Sequence, residues 1–278
     1  MVNFNGTLVE KESNLLANNR GFLFGDAVFE TLKVVNNKIL FFEDHYFRLM
    51  SSMRILRMEI PMNFTMEFLE QEILNLVREN GIGKSARIRM TVFRNSDGFY
   101  LPNTNIVGYL IQSSALSSPQ YKMNEGIYEV DLYKDFYVTK QLLSTIKSTN
   151  KAVHITGSIF ANENGLQNCL LLNDSKNVIE ALNGNIFMLK DGKLFTPPVS
   201  EGCLNGVMRK QILTLAKNKN IEVVEEVISP FDLQKADELF VTNVIKGVQS
   251  ISQYRKKEFI NAFALELIHE LNQQFVLI

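Results

Sequence analysis

The sequence predicts a mixed α and β (α+β) protein in two domains, and three observations carry that prediction. Short β-like runs occur in both halves with amphipathic helical stretches between them, in an order too irregular for regular βαβ winding. The length, 278 residues, is roughly twice that of a usual domain. A serine-rich stretch, SSALSSPQ at 113–120, separates the halves, so the expected domains are residues 1–115 and 125–278 with a linker at 116–124.

The first forty residues read as strands. NFNGTLV turns at Asn5-Gly6, and VFETLKVV and KILFF form a hairpin closed by Asn36-Asn37, two residues that tolerate positive φ. From Glu43 to about Met58 apolar residues recur at helical spacing, and Pro61 ends the element. A second amphipathic helix runs from Phe64 to Glu79, with Leu69, Ile73, Leu76 and Val77 in its apolar stripe and a stop at Asn80-Gly81. ARIRMTVFR (86–94) and NIVGYLIQ (105–112) read as strands joined by a loop rich in Gly, Pro and Asn. Beyond the linker come strands near 127–133, a helix from about Asn150 to Asn164, and strands at 168–173, 177–181 and 185–190. A helix at 206–219, strands near 221–228 and 238–242, and a last helix from about Lys257 complete the chain.

Composition excludes several classes of function. With 46% hydrophobic and 21% charged residues and a net charge of −1, the chain is too apolar and too neutral for disorder. The basic pairs Arg54/Arg57, Arg87/Arg89 and Lys256/Lys257 are too short for the extended stripe that binds nucleic acid. Cys169 and Cys203 are the two cysteines, and the three histidines, His45, His154 and His269, lie far apart. Neither a disulfide framework nor a metal site is therefore expected. MVNFNGTLVEKESN has no basic segment followed by an apolar one, and no run approaches the roughly 18 apolar residues of a membrane span. The expectation is a cytoplasmic protein that engages neither membrane nor nucleic acid.

No P-loop, GxGxxG, GxSxG or HExxH pattern is present. What remains is an ordered set of motifs: FLFGDAVFET (22–31), DHYFRL (44–49), TIKSTN (145–150), VIEALNGNIF (178–187), LNGVMRKQI (204–212) and ELFVTNVIKGVQSI (238–251). Together they resemble the class IV, or D-amino-acid aminotransferase-like, family of pyridoxal-phosphate enzymes. That family includes branched-chain and D-amino-acid aminotransferases and aminodeoxychorismate lyase. The resemblance covers nearly the whole chain. It implies a smaller α+β N-terminal domain, a larger C-terminal domain with a barrel-like sheet, a cofactor between them, and a homodimer.

The resemblance also assigns roles. Lys147, in Lys-x-x-Asn, takes the place of the lysine that holds pyridoxal 5'-phosphate as a Schiff base, and such an amine attacks only when neutral. Glu180 matches the carboxylate that pairs with the pyridinium nitrogen and keeps the ring an electron sink; Asn185 follows it in the cofactor region. Arg48 matches the phosphate-binding arginine, whose fork suits two phosphate oxygens. His45 lies one turn earlier, either near the cofactor or as a structural hydrogen-bonding histidine. Gly206, Val207 and Met208 open a helix whose backbone N–H groups suit the phosphate. Asn243 lies in a second phosphate loop, where several relatives carry a hydroxyl residue in place of Val244. Phe29 matches a pocket-lining aromatic, and Arg87, Arg89 and Arg94 are alike candidates for the substrate carboxylate. The implied activity is transamination between an amino acid of branched-chain or D-amino-acid type and a 2-oxo acid. The alternatives are release of pyruvate and 4-aminobenzoate from aminodeoxychorismate, or a non-catalytic scaffold.

Overall fold

The computed structural model describes residues 1–10 and 19–276. The part of the N-terminal strand reading that falls on 11–18, and the part of the final-helix reading that falls on 277–278, lie outside the described residues. The chain divides into two compact units, Met1–Pro119 with Ile146–Asn150, and Gln120–Thr145 with Lys151–Ile278.

The first unit contains β1 (Val2–Phe4), β2 (Thr7–Val9), α1 (Arg20–Leu23), β3 (Ala27–Val35), β4 (Lys38–Ile39), α2 (Phe42–Ile55), α3 (Met66–Glu79), β5 (Ser85–Arg94) and β6 (Val107–Ala115). The six strands form one antiparallel sheet in the order β2-β1-β6-β5-β3-β4. Both expected turns form with positive φ, Asn5 at 50° and Gly6 at 86°, and Asn36 at 49° and Asn37 at 62°; that backbone suits the twist of paired strands. Leu49, Met50 and Met53 of α2 and Leu69, Ile73 and Leu76 of α3 pack with Val28, Leu32, Ile88 and Met90 in one core. Each fully buried side chain of this size contributes roughly 2 kcal/mol. The Thr65 hydroxyl accepts a bond from the Phe68 N–H (3.2 Å) and so starts α3.

Local stereochemistry accounts for the departures from expectation. Residues 20–23 form a helical turn capped by Asn19, not a strand. β4 stops after two residues because Phe41 adopts φ 54° and turns the chain into α2. α2 ends before Met58, where Arg57 takes φ 54° and the Met58 N–H bonds back to the Met53 carbonyl (2.9 Å). Ser113–Ala115 belong to β6, paired with Ile88, Arg87 and Ala86.

The second unit contains β7 (Glu129–Val138), α4 (Ala152–Glu163), β8 (Asn168–Asn173), β9 (Val178–Ala181), β10 (Asn185–Lys190), β11 (Lys193–Thr196), α5 (Val207–Asn218), β12 (Val223–Glu225), β13 (Glu238–Asn243), β14 (Gly247–Ile251), β15 (Gln253–Tyr254), β16 (Lys257–Glu258) and α6 (Ala262–Val276). Two five-stranded sheets form, β12-β11-β10-β13-β14 and β16-β15-β7-β8-β9. They share one core of Val130, Leu170, Val178, Ile186, Leu239, Val241 and Ile251. The Ala181–Gly184 bridge joins β9 to the start of β10, and β14 runs on into β15 after one residue, so the sheets close around that core in a barrel-like manner. Lys257 is in a strand, and the last helix starts only at Ala262. There the buried Glu238 carboxylate accepts the Phe263 (2.8 Å) and Ala264 (3.1 Å) N–H groups, an anion placed at a helix start.

Candidate active site

In the first unit, residues 146–150 run beside β3. The Phe29 N–H donates to the Lys147 carbonyl (2.8 Å) and the Thr149 N–H to the Ala27 carbonyl (3.0 Å). This pairing fixes the backbone that carries Lys147. Its Nζ lies 4.7 Å from the centroid of the buried Phe29 ring. The Arg89 guanidinium lies 3.8 Å from the same centroid, so an amine and a guanidinium meet at one aromatic side chain.

Arg48 holds Glu30 in a fork, Nε to Oε1 at 2.8 Å and Nη2 to Oε2 at 2.5 Å. His45 Nδ1 lies 2.7 Å from Glu30 Oε2. Burial alone would raise the Glu30 pKa, but Arg48 and then His45 more than offset it, and the carboxyl is held at about 2. The His45 pKa is lowered, first by burial and also by Arg48 and Lys147, against the pull of Glu30. We therefore assign a neutral ring that donates from Nδ1, and its buried Nε2 has no partner among the described residues. Arg48 is thus a guanidinium oriented by a buried carboxylate.

Arg94, expected among the substrate arginines, is instead built into the unit. It donates to both Asp26 oxygens (2.9 and 3.3 Å), to Asn105 Oδ1 (2.6 Å) and to the carbonyls of Leu56 (2.7 Å) and Arg57 (3.3 Å). A buried guanidinium saturated in this way has no donor left for a ligand. Arg87 and Arg89 differ. They share a half-buried face of β5, neither has an acidic partner among the described residues, and burial followed by the charge of Arg87 lowers the pKa of Arg89.

In the second unit, Glu180 is buried in β9. Its Oε2 accepts the Leu204 N–H (2.9 Å), and Oε1 lies 3.1 Å from His154 Nε2. Asn185, at the start of β10, donates to the Leu204 carbonyl (2.8 Å). Leu204 is thereby held from both sides, which places Gly206 at the cap of α5. A Cβ on Gly206 would lie 1.9 Å from Asn185 Oδ1, so only glycine fits. No side chain caps α5, and the amides of its first turn, including those of the buried Val207 and Met208, have no acceptor within the helix. In the other loop, Asn243 Oδ1 accepts the Ile245 (3.1 Å) and Lys246 (2.9 Å) N–H groups. The Tyr121 hydroxyl fixes the Val244 carbonyl (2.8 Å). The neighbouring Thr242 Oγ1 is buried with no partner among the described residues.

Each unit thus carries its own set of groups. The first offers the amine of Lys147 with Arg48, Phe29 and Arg89; the second offers the Glu180 carboxylate, the start of α5 and the 242–244 loop. Uncapped helix amides and an orphaned hydroxyl suit a phosphate, and a buried carboxylate with remaining lone pairs suits a protonated ring nitrogen. These donor sets fit a phosphorylated pyridine aldehyde. Glu30, Asp26 and His154 were not singled out from the sequence for their roles, since their partners lie up to 68 residues away. Among the described residues no group of three or more His, Cys, Asp or Glu is placed to hold a metal ion, and no helix is long and apolar enough to cross a membrane.

Comparison with known proteins bears on these groups. Residues 27–254 match the family model described as amino-transferase class IV. A Methanocaldococcus jannaschii protein provisionally named branched-chain-amino-acid aminotransferase is 30% identical over 272 residues, 98% of this chain and 93% of that protein. A D-alanine aminotransferase of Listeria monocytogenes is 26% identical over 279 residues, again 98% and 93% of the two chains. The crystal structure of a branched-chain aminotransferase from Thermoproteus uzoniensis with norvaline superposes with a TM-score of 0.87 at 22% identity, covering 99% of this chain and 94% of that one.

Proposed function

Since the chain belongs to the class IV aminotransferase family, whose members use pyridoxal 5'-phosphate, we propose that it transfers an amino group from an amino acid of branched-chain or D-amino-acid type to a 2-oxo acid, with Lys147 holding the cofactor. The observation that carries this reading is the approach of Lys147 Nζ and Arg89 to one Phe29 ring, beside a second arginine, Arg87, that has no acidic partner among the described residues. An amine and a guanidinium at one ring suit a small amino acid, whose carboxylate the guanidinium would bind.

The remaining roles follow from the groups already described. Glu180 would pair with the ring nitrogen, while the Val207 and Met208 amides, Gly206 and Asn243 would hold the phosphate. Asn185 positions Gly206. Arg48, oriented by Glu30, would supply a cation for a phosphate. When bound, the cofactor's ring draws electrons from the substrate's α-carbon so that its proton can leave. Lys147 Nζ, once released as a neutral amine by the substrate's own amino group, would take that proton from the α-carbon. Arg89, with Arg87 beside it, holds the substrate carboxylate and so orients the α-carbon toward Nζ.

We also infer a homodimer in the cytoplasm. Phe22, Leu23, Phe99, Tyr100 and Leu101 of the first unit are more than half exposed, a patch that a second copy would cover. Cys169 and Cys203 are unlinked and buried, which accords with a reducing compartment.

The test is the visible spectrum of the protein with pyridoxal phosphate, recorded as single amino acids of each configuration are added without acceptor. Loss of the visible band with one configuration is expected. A band that no amino acid removes would reject transamination in favour of pyruvate release from aminodeoxychorismate.

A further inference from the structure

We propose that His154 is a positioning residue that fixes the Glu180 carboxylate in the orientation its work requires. The proposal rests on the reading that Glu180 faces the cofactor's ring nitrogen. His154 is the third residue of α4 and Glu180 the third of β9. Their contact, Nε2 to Oε1 at 3.1 Å, is joined by the Leu204 N–H on Oε2 at 2.9 Å. Among the described residues each carboxylate oxygen thus has one partner. The carboxylate cannot turn about its last side-chain bond without giving up one of them, and the lone pairs left over keep a fixed direction.

A bland alternative is that His154 serves only to dock α4. The helix is docked by other means. Gly157 lets it approach so closely that a Cβ there would lie 2.5 Å from Leu182 Cδ2 and 3.2 Å from the Tyr133 ring. Phe160 packs on Tyr133 with ring centroids 5.6 Å apart, and Ala161 is buried in the same cluster. On the open side of α4, Ile155 and Ile159 are 59% and 53% exposed. His154 stands between these faces, with a side chain still 20% exposed, and among the described residues the one polar contact of its ring is with Glu180. Replacing it removes an orienting contact and little packing.

The experiment uses the cofactor-loaded protein, with pyridoxal phosphate labelled with 15N in its ring, and compares wild type with His154→Leu, His154→Gln and Glu180→Ala. The ring-nitrogen NMR signal reports directly whether that nitrogen is protonated. In His154→Leu the signal is expected to move toward the unprotonated position, and kcat to fall about tenfold to a hundredfold, the range for one hydrogen bond to a charged group. KM should change by less than about twofold, since binding of substrate is untouched. His154→Gln, which keeps an N–H donor, should recover most of both. If the leucine variant fails to fold, His154→Asn, too short to reach Glu180, gives the same readouts. A wild-type nitrogen signal and kcat in the variants lacking the contact would overturn the positioning role. An unchanged signal in Glu180→Ala would instead overturn the assignment of Glu180 to the ring, and the role of His154 with it.

Discussion

At the scale of single residues, Lys147 and Glu30 illustrate two kinds of necessity. Lys147 is set beside Phe29 by backbone pairing, so replacing its side chain should leave the fold intact. Lys147→Ala is expected to lose the visible cofactor band and at least about 10³-fold in turnover, as removal of a proton carrier and nucleophile implies. An active, coloured variant would refute the assignment. Glu30 acts through stability. Its carboxyl is held at about 2 in the folded chain against an ordinary 4.5, so the unfolded chain binds the proton first on acidification. Its contribution, roughly 3 kcal/mol, is complete above pH 4.5 and is lost as the pH falls toward 2. His45 adds a loss of the same sign that begins below its ordinary 6.5, because burial keeps it neutral when folded. Urea midpoints measured against pH should therefore fall steadily in wild type from pH 6.5 downward. Glu30→Gln should be less stable at neutral pH and flatter below pH 4.5. Equal slopes in the two proteins would show that Glu30 is not the group responsible.

At the scale of elements, the start of α5 is built by a steric match between two chain segments. Gly206 has an ordinary φ of −75°, so backbone strain does not require glycine there; the Asn185 carboxamide does. Gly206→Ala should push Asn185 off the Leu204 carbonyl, tilt the first turn of α5 and weaken cofactor binding about tenfold. Asn185→Ala removes the clash, so adding Gly206→Ala to it should cost less than adding it to wild type. A cycle of cofactor dissociation constants is expected to show coupling of about 1 kcal/mol, and simple additivity would refute the match. The same element marks the reach of sequence reading. A helix at 206–219 was legible from its spacing, as were α3 and the Asn36-Asn37 turn, because those signals are local. The identity of the site was legible only through resemblance, since nothing local distinguishes Lys147 from another lysine. Ser113–Ala115 looked like linker because serine favours turns, and pairing with β5 overrode that preference. β14 and β15 lack regular alternation and are strands because of their neighbours. Arg94 looked like a candidate for the substrate carboxylate because its partner Asp26 lies 68 residues away.

At the scale of the whole molecule, the question is what covers the exposed apolar side chains of the first unit. Tyr100 is 93% exposed, Phe99 86% and Leu101 83%, yet the loop that bears them is anchored. The buried Arg20 donates to the carbonyls of Gly98 (2.9 Å) and Phe99 (2.7 Å), and its Nε is held by Asp26 (2.9 Å). A loop fixed in that manner cannot fold its apolar residues inward, so water or another chain must meet them. Burying such side chains contributes roughly 1.5 to 3 kcal/mol each, against an association cost of about 4 to 15 kcal/mol; several together suffice for a dimer only if the surfaces match. The proposed homodimer therefore makes a selective prediction. Tyr100→Asp with Leu101→Asp should halve the mass seen by sedimentation at micromolar concentration, while the unfolding free energy from urea titration at high dilution stays within about 0.5 kcal/mol of wild type, because exposed positions contribute little to the single chain. A variant that sediments as wild type would place the subunit contact elsewhere. A variant that unfolds instead would mean that the loop supports the fold of its own unit, and the exposed patch would lose its standing as an interface.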